Sequence, residues 1–284
     1  MISFVEAFDQ IRSSVVGIGL RDDPKHTIIG TGFVAHPSGW VITNRHVVEA
    51  LLQQTTDGRV GLRNGAAVYH FASFPPPPGM VAMTGFVISD IVEARSHPTR
   101  TGNGTPMESL FGEMTNSLAI PLTPPDLGIC RFPAEELPVH FRQFNPVQII
   151  HSKVVKVGTF VGILGFPQGL NFPMTFHSSA NVQLSPLLQV GVVSGVLPFS
   201  GLENPEMFVL DIHVNPGSSG SPLFLPSGEV VGVVFATRQR WLEVHDTSNT
   251  GQPIPRKDLG VYVGTGLGLA VPACRFPSDW LADN

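Results

Sequence analysis

The sequence predicts an all-β protein of two six-stranded antiparallel β-barrels preceded by a short helix. Three observations carry this. About a dozen short runs rich in Val, Ile and Phe are each bounded by turn residues, and little of the chain shows helical periodicity. The 30 glycines and 26 prolines are scattered between those runs without a repeat, which is how turns punctuate a strand-rich chain. A chain of 284 residues, 42% of them hydrophobic, can fill two stacked small cores, and so many strands exceed one simple sheet.

In chain order, Phe4, Phe8 and Ile11 of "FVEAFDQI" fall on one face of a short helix. Two β-rich runs, "SSVVGIGL" and "IIGTGFVAHPSGWVITNRHVVEA", follow; Pro37-Ser38-Gly39 inside the second reads as a hairpin turn, and "NRHVVEALL" gives way to a helical turn. Further strands are expected in "GRVGLR", "AAVYHFA", "MVAMTGFVISDIVEA", "DLGICRF", "GTFVGILGF", "LQVGVVSGVL", "MFVLDIHV", "PLFLPSGEVVGVVFA" and "GVYVGTGLGLAVPA". The proline run from Phe74 to Met80 and the polar stretch from Ser96 to Pro125 break the rhythm. They are expected to be an insertion within residues 70–125, loosely ordered or folded as a lid. The whole chain, 1–284, reads as one domain, with an N-terminal barrel over about 1–135 and a C-terminal barrel over about 136–284.

A net charge of −5 with no Lys/Arg cluster leaves no electrostatic footprint for nucleic acid or an anionic membrane. No apolar run approaches the roughly 20 residues that span a bilayer. The N-terminus lacks a basic region before its apolar residues, and Cys130 and Cys274 make no metal clip and at most one bridge. A cytoplasmic location with two reduced thiols is the expectation, giving way to an extracytoplasmic one if a leader has been trimmed from Met1.

The chemistry concentrates in "HVNPGSSGSPLF", His213 to Phe224. Gly217 and Gly220 flank Ser219 where a backbone bends sharply, Pro216 stiffens the approach, and apolar strands lie on both sides. A serine hydroxyl needs a base to take its proton and donors for the developing oxyanion. The amides of Gly217 and Ser219 can supply the donors. His46 ends an apolar strand in "VITNRHVVEA", unlike His26, His36, His97, His151 and His245, which sit in polar or turn-like contexts. Asp126 in "TPPDLGICRFP" places a carboxylate at the head of an apolar strand, where it needs a partner. Asp90 is the rival acid, and Asp211 lies close in sequence to Ser219. The order His46, Asp126, Ser219 is one of three known triad orders, and the fifth position of a G-x-S-x-G elbow is Ser221 here, which excludes the α/β-hydrolase arrangement.

Four segments in order resemble the trypsin-like serine peptidases, in their HtrA/Deg-type branch: "GTGFVAHPSGWVITNRHVV", "DLGICRF", "VNPGSSGSPLFLPSGEVVGVVFA" and "GTGLGLAVPA". The resemblance implies His46 as general base, Asp126 as its orienting acid, Ser219 as nucleophile, and Gly217 and Ser219 as oxyanion donors. It implies an S1 pocket of His213 and Val214 before the nucleophile and Val234, Phe235, Ala236 and Thr237 after it. His213 departs from the apolar lining common in that branch and is expected either to favour an acidic or polar P1 side chain or to hydrogen-bond locally. Ser218 stands where zymogen-type relatives carry an aspartate, so activation by that ion pair is not expected. The sequence runs only a short way past "AVPA", so a PDZ domain is not expected.

The expected function is therefore a serine endopeptidase acting on protein or peptide substrates through an acyl-enzyme, with no metal or organic cofactor and an open oligomeric state. The competing reading is a trypsin-like scaffold that senses or binds with little turnover.

Overall fold

The computed structural model describes residues 3–22, 28–54, 58–74, 83–97, 125–142, 144–151, 155–167, 171–176, 179–182, 185–198, 200–246 and 254–280. The proline run and most of the polar stretch before Asp126 lie outside them.

Helix α1 (Phe4–Ile11) starts at a capping box: the Ser3 hydroxyl accepts from the Glu6 amide, and the Glu6 carboxylate accepts from the Ser3 amide at 2.7 Å. The face foreseen from Phe4, Phe8 and Ile11 packs onto the core between the two halves of the molecule, with Phe4 edge-on to Phe224 at 5.9 Å.

The first half contains β1 (Val15–Leu20), β2 (Ile28–His36), β3 (Trp40–Thr43), α2 (Arg45–Ala50), β4 (Leu52–Gln54), β5 (Val60–Leu62), β6 (Ala66–Phe74), β7 (Met83–Asp90), β8 (Glu93–Ser96) and β9 (Gly128–Arg131). Seven of the strands form one antiparallel sheet in the order β7-β6-β1-β2-β3-β9-β8. Its two edges are consecutive in the chain. Ile91 donates to Ala66 O and Val92 to Arg131 O, so the segment 83–96 bonds to both ends of the sheet and curls it round. Part of the expected insertion over 70–125 is therefore sheet: β6 and β7 pair from Ala67↔Asp90 to Phe74↔Met83.

The second half contains β10 (Phe160–Gly165), β11 (Asn171–Phe176), β12 (Ser179–Val182), β13 (Leu187–Leu197), β14 (Met207–Leu210), β15 (Pro222–Phe224), β16 (Val230–Asp246) and β17 (Ile254–Pro272). Six of these close into a barrel, β10-β13-β14-β17-β16-β15, as expected. Two features were not foreseen: the β11–β12 hairpin, and the reach of β16 and β17, whose pairing runs from Gly232↔Pro272 out to Asp246↔Ile254.

Three apolar clusters hold the molecule. One fills the first half around Ile18, Val41 and Phe132, one fills the closed barrel around Ile163, Leu210 and Val234, and a third joins them through Phe33, Tyr69, Phe166, Phe224 and Val271. The shared third core fixes the two halves against each other, which a site built from both requires.

His70, on β6, is 3% exposed, lies edge-on to Phe132 at 4.5 Å, and its Nε2 has no hydrogen-bond partner among the described residues. Burial pushes its pKa down from 6.5 to about 3. The unfolded chain thus takes up a proton that the folded chain refuses, and stability falls as pH drops through 6.5 toward 3. At pH 4.5 the penalty is on the order of 3 kcal/mol. Thermal melts of wild type and His70→Leu at pH 7.5 and 4.5 should show the variant losing less at acid pH, and parallel losses would contradict this assignment.

Candidate active site

Strand β3 delivers Thr43 and the fully buried Asn44 to the start of α2, where His46 is the second residue. The chain before β9 comes alongside and is tied there: Asn44 Nδ2 donates to Asp126 O at 2.9 Å, and the Arg45 guanidinium donates to Pro125 O at 3.1 Å. The Asp126 carboxylate then meets His46 twice. Oδ1 accepts the His46 amide at 3.1 Å, satisfying one of the free donors at the helix start, and Oδ2 lies 2.6 Å from Nδ1. An ionised carboxylate can only accept, so in the neutral imidazole Nδ1 carries the proton and Nε2 keeps its lone pair. The histidine side chain is 48% exposed and the aspartate 23%, so the pair is reachable from solvent. Asp90, the rival acid, is spent elsewhere, in an ion pair with Arg21 at 2.9 Å.

Ser219 sits in a turn with Gly217 at φ +89° and Gly220 at φ +90°, the conformation for which glycine was expected. The turn is closed by Ser218 N–H to Asn215 O and Ser221 N–H to Ser218 O, each 3.0 Å, and joined to β16 by Gly220 N–H to Val234 O at 2.8 Å. Across the interface, β2 clamps it. The Thr31 amide donates to Ser219 O at 2.7 Å, the Thr31 hydroxyl donates to Gly217 O at 2.7 Å, and the Thr43 hydroxyl donates to Thr31 O at 2.7 Å. A Cβ on Gly220 would fall on the Thr31 carbonyl oxygen, so the turn tolerates no side chain there. Gly30 serves the same approach: a Cβ on it would strike Val47, next to His46, and lie 3.2 Å from Ser219 O. The helix that carries His46 and the turn that carries Ser219 thus both pack close to β2 at Gly30.

The remaining expectations fall out as follows. The Ser219 hydroxyl donates to Phe235 O at 3.3 Å, with no hydrogen bond to His46 among the described residues. Neither the Gly217 nor the Ser219 amide donates to another main-chain group among the described residues. A bulge between Val234 and Ala236 turns the Phe235 carbonyl to the same edge as that of Val234. Val214 and Val234 are buried in the barrel core, whereas His213 is exposed with its carbonyl held by Gln189 Nε2 at 3.0 Å. Phe235 lines, with Asp126, Glu206 and Arg275, a cavity of about 230 Å³. The side chains of Ala236 and Thr237 lie outside the described residues. Ser218 is buried and its hydroxyl has no partner among the described residues. Among the described residues no cluster of three or more His, Cys, Asp or Glu is placed to hold a metal.

Neither Thr31 nor the buried bonds that Thr43 and Asn44 make across to Thr31 O and Asp126 O were foreseen from sequence. Their signal was there: a hydroxyl or amide inside an apolar strand needs a buried partner. Replacing Thr31 by Val leaves the Gly217 carbonyl and the Phe166 amide, which donates to the Thr31 hydroxyl at 3.1 Å, without partners. The expected cost is about 2–3 kcal/mol, a fall in Tm of roughly 4–10 °C, and an unchanged Tm would show that the clamp carries little.

A model of the trypsin-like peptidase domain matches residues 30–233, from the clamping strand through the serine turn. The chain belongs to the trypsin-like peptidase family. It is similar to a probable periplasmic serine endoprotease, DegP-like, of Hahella chejuensis, 32% identical over 109 residues, which are 38% of this chain and 19% of that one. A protein of the same name from a Marinomonas species is 23% identical over 206 residues, 72% of this chain and 29% of that one. Among solved structures, Deg5 superposes with a TM-score of 0.44 at 23% identity, over 82% of this chain and 84% of the other. The chain spans about a fifth to a third of the length of these two curated relatives.

All five curated relatives that match are named periplasmic, which overturns the expected cytoplasmic location. That expectation leaned on two thiols and the first residues, and neither constrains the compartment. Cys130 is buried in the first half, Cys274 lies in the second, and both are free. Burial also pushes the Cys130 thiol up to about 12. Among the described residues no helix is long and apolar enough to cross a membrane.

Proposed function

We propose that this chain is a serine endopeptidase of an extracytoplasmic compartment, with Ser219 as nucleophile, His46 as general base and Asp126 as the group that orients it. The observation that carries the reading is the two-point contact of Asp126 with His46, which leaves Nε2 free to accept. As Ser219 Oγ bonds to the scissile carbonyl carbon, its proton passes to His46 Nε2 and the carbonyl oxygen takes the negative charge. The Gly217 and Ser219 amides, uncommitted to main-chain acceptors among the described residues, are the donors for that oxyanion. Collapse breaks the C–N bond, and Nε2 returns its proton to the departing amine. Water then repeats the sequence on the acyl-enzyme, with His46 again taking the proton.

The Ser219 hydroxyl bonded to Phe235 O favours a second reading, a resting scaffold with little turnover. Incubation with an unfolded protein substrate, followed by mass spectrometry of the products, separates the two. Internal cleavage that disappears in a heat-inactivated sample supports the peptidase, and an intact substrate at every pH from 6 to 9 supports the scaffold.

A further inference from the structure

Four hydrogen bonds meet on Thr31, which is fully buried on β2. Its amide donates to Ser219 O and its hydroxyl to Gly217 O, each at 2.7 Å. The hydroxyl oxygen accepts the Phe166 amide at 3.1 Å, and the Thr31 carbonyl accepts the Thr43 hydroxyl at 2.7 Å. The hydroxyl proton and one of its lone pairs are thus both spent, which sets its orientation. It cannot swing to another acceptor without orphaning a buried partner.

The serine turn depends on a hold of this kind. Gly217 and Gly220, at φ +89° and φ +90°, bracket Ser219 with the residues that resist rotation least. Thr31 meets the turn at two carbonyls two residues apart. Between Gly217 O and Ser219 O lies one further peptide unit, the Ser218 carbonyl with the Ser219 N–H, and that carbonyl accepts the Ser221 amide at 3.0 Å. Three successive peptide planes are thereby pinned, and the middle one carries a donor assigned to the oxyanion. Any residue except proline at position 31 would supply the amide to Ser219 O. The bond to Gly217 O belongs to the side chain alone, and valine, with the same shape, cannot make it.

We propose that Thr31 is a positioning residue for the reaction: its hydroxyl, reaching from the first half into the second, aims the peptide unit whose Ser219 N–H receives the oxyanion. The kinetic consequence rests on the peptidase reading, but the ordering of the turn by the hydroxyl does not. Being fully buried, Thr31 acts only through the turn. The leverage comes from distance: an oxyanion donor works at about 2.7–3.1 Å, and a misplacement of about 1 Å costs on the order of a hundredfold in rate.

The test compares Thr31→Val, which deletes the hydroxyl, with Thr31→Ser, which keeps it, well below the Tm of each. Thr31→Val should lower kcat by about 10- to 100-fold with KM within about twofold of wild type, and Thr31→Ser should recover kcat to within about threefold. A peptidyl boronate, whose tetrahedral adduct puts an oxygen where the oxyanion forms, should lose affinity for Thr31→Val by the same factor as kcat/KM. Val196→Ala, a truncation in the core of the closed barrel, serves as the control for lost stability and should leave kcat within about twofold. Hydrogen exchange read by mass spectrometry over residues 213–224 should be about tenfold faster in Thr31→Val than in Thr31→Ser. An undiminished kcat in Thr31→Val, a loss confined to KM, an equal loss of kcat in Val196→Ala, or a serine variant as slow as the valine one would overturn the proposal. Failure of the peptidase reading appears separately, as a wild-type chain that neither cleaves peptides nor binds the boronate while the exchange difference between the two Thr31 variants stands.

Discussion

Ser219→Ala is expected to lower kcat/KM on a cleavable peptide by about a millionfold, with Tm held within a degree or two. The asymmetry follows from what the side chain touches. Its hydroxyl makes one 3.3 Å hydrogen bond, to the Phe235 carbonyl, while the turn is held by main-chain bonds to Thr31, Val234, Asn215 and Ser218. Removing the oxygen removes the proposed nucleophile and only that one hydrogen bond. Circular dichroism melts beside single-turnover kinetics check both halves of the statement, and retained cleavage would move the nucleophile elsewhere.

Asp126→Asn is the second large effect, an expected loss of about ten thousandfold in kcat. An amide nitrogen facing Nδ1 donates where the carboxylate accepted, which drives the imidazole proton onto Nε2 and removes the base. The same change removes a charged cap from the His46 amide, so this variant, unlike the first, should also lose about 1 kcal/mol of stability. An activity loss with no change in the imidazole tautomer by nitrogen NMR would count against the orienting role.

The first half of the fold was legible because its strands are short apolar runs, almost wholly buried, bounded by turn residues. "IIGTGFVAHPSGWVIT" announced β2, the Gly39 turn and β3 in order, with Gly39 at φ +90°. The β16–β17 arm was not legible past Ala236, because "TRQRWLEVHD" shows no sustained apolar alternation in its sequence. His46 and Asp126 could be paired from sequence because a carboxylate heading an apolar strand needs a partner. The clamp from Thr31 could not, since it depends on which face of β2 meets the second barrel. Of the residues that the resemblance assigns to a pocket, Val214 and Val234 belong to the buried core of the closed barrel.

The central claim is that one serine among three in the same turn is the nucleophile. Ser218 and Ser221 are buried, whereas Ser219 is half-buried at the edge of the turn. Treatment with a fluorophosphonate and peptide mapping by mass spectrometry tests this most directly. The account predicts one adduct per chain, on Ser219, abolished in His46→Ala; labelling of Ser218 or Ser221, or no adduct on a chain that cleaves peptides, would contradict it.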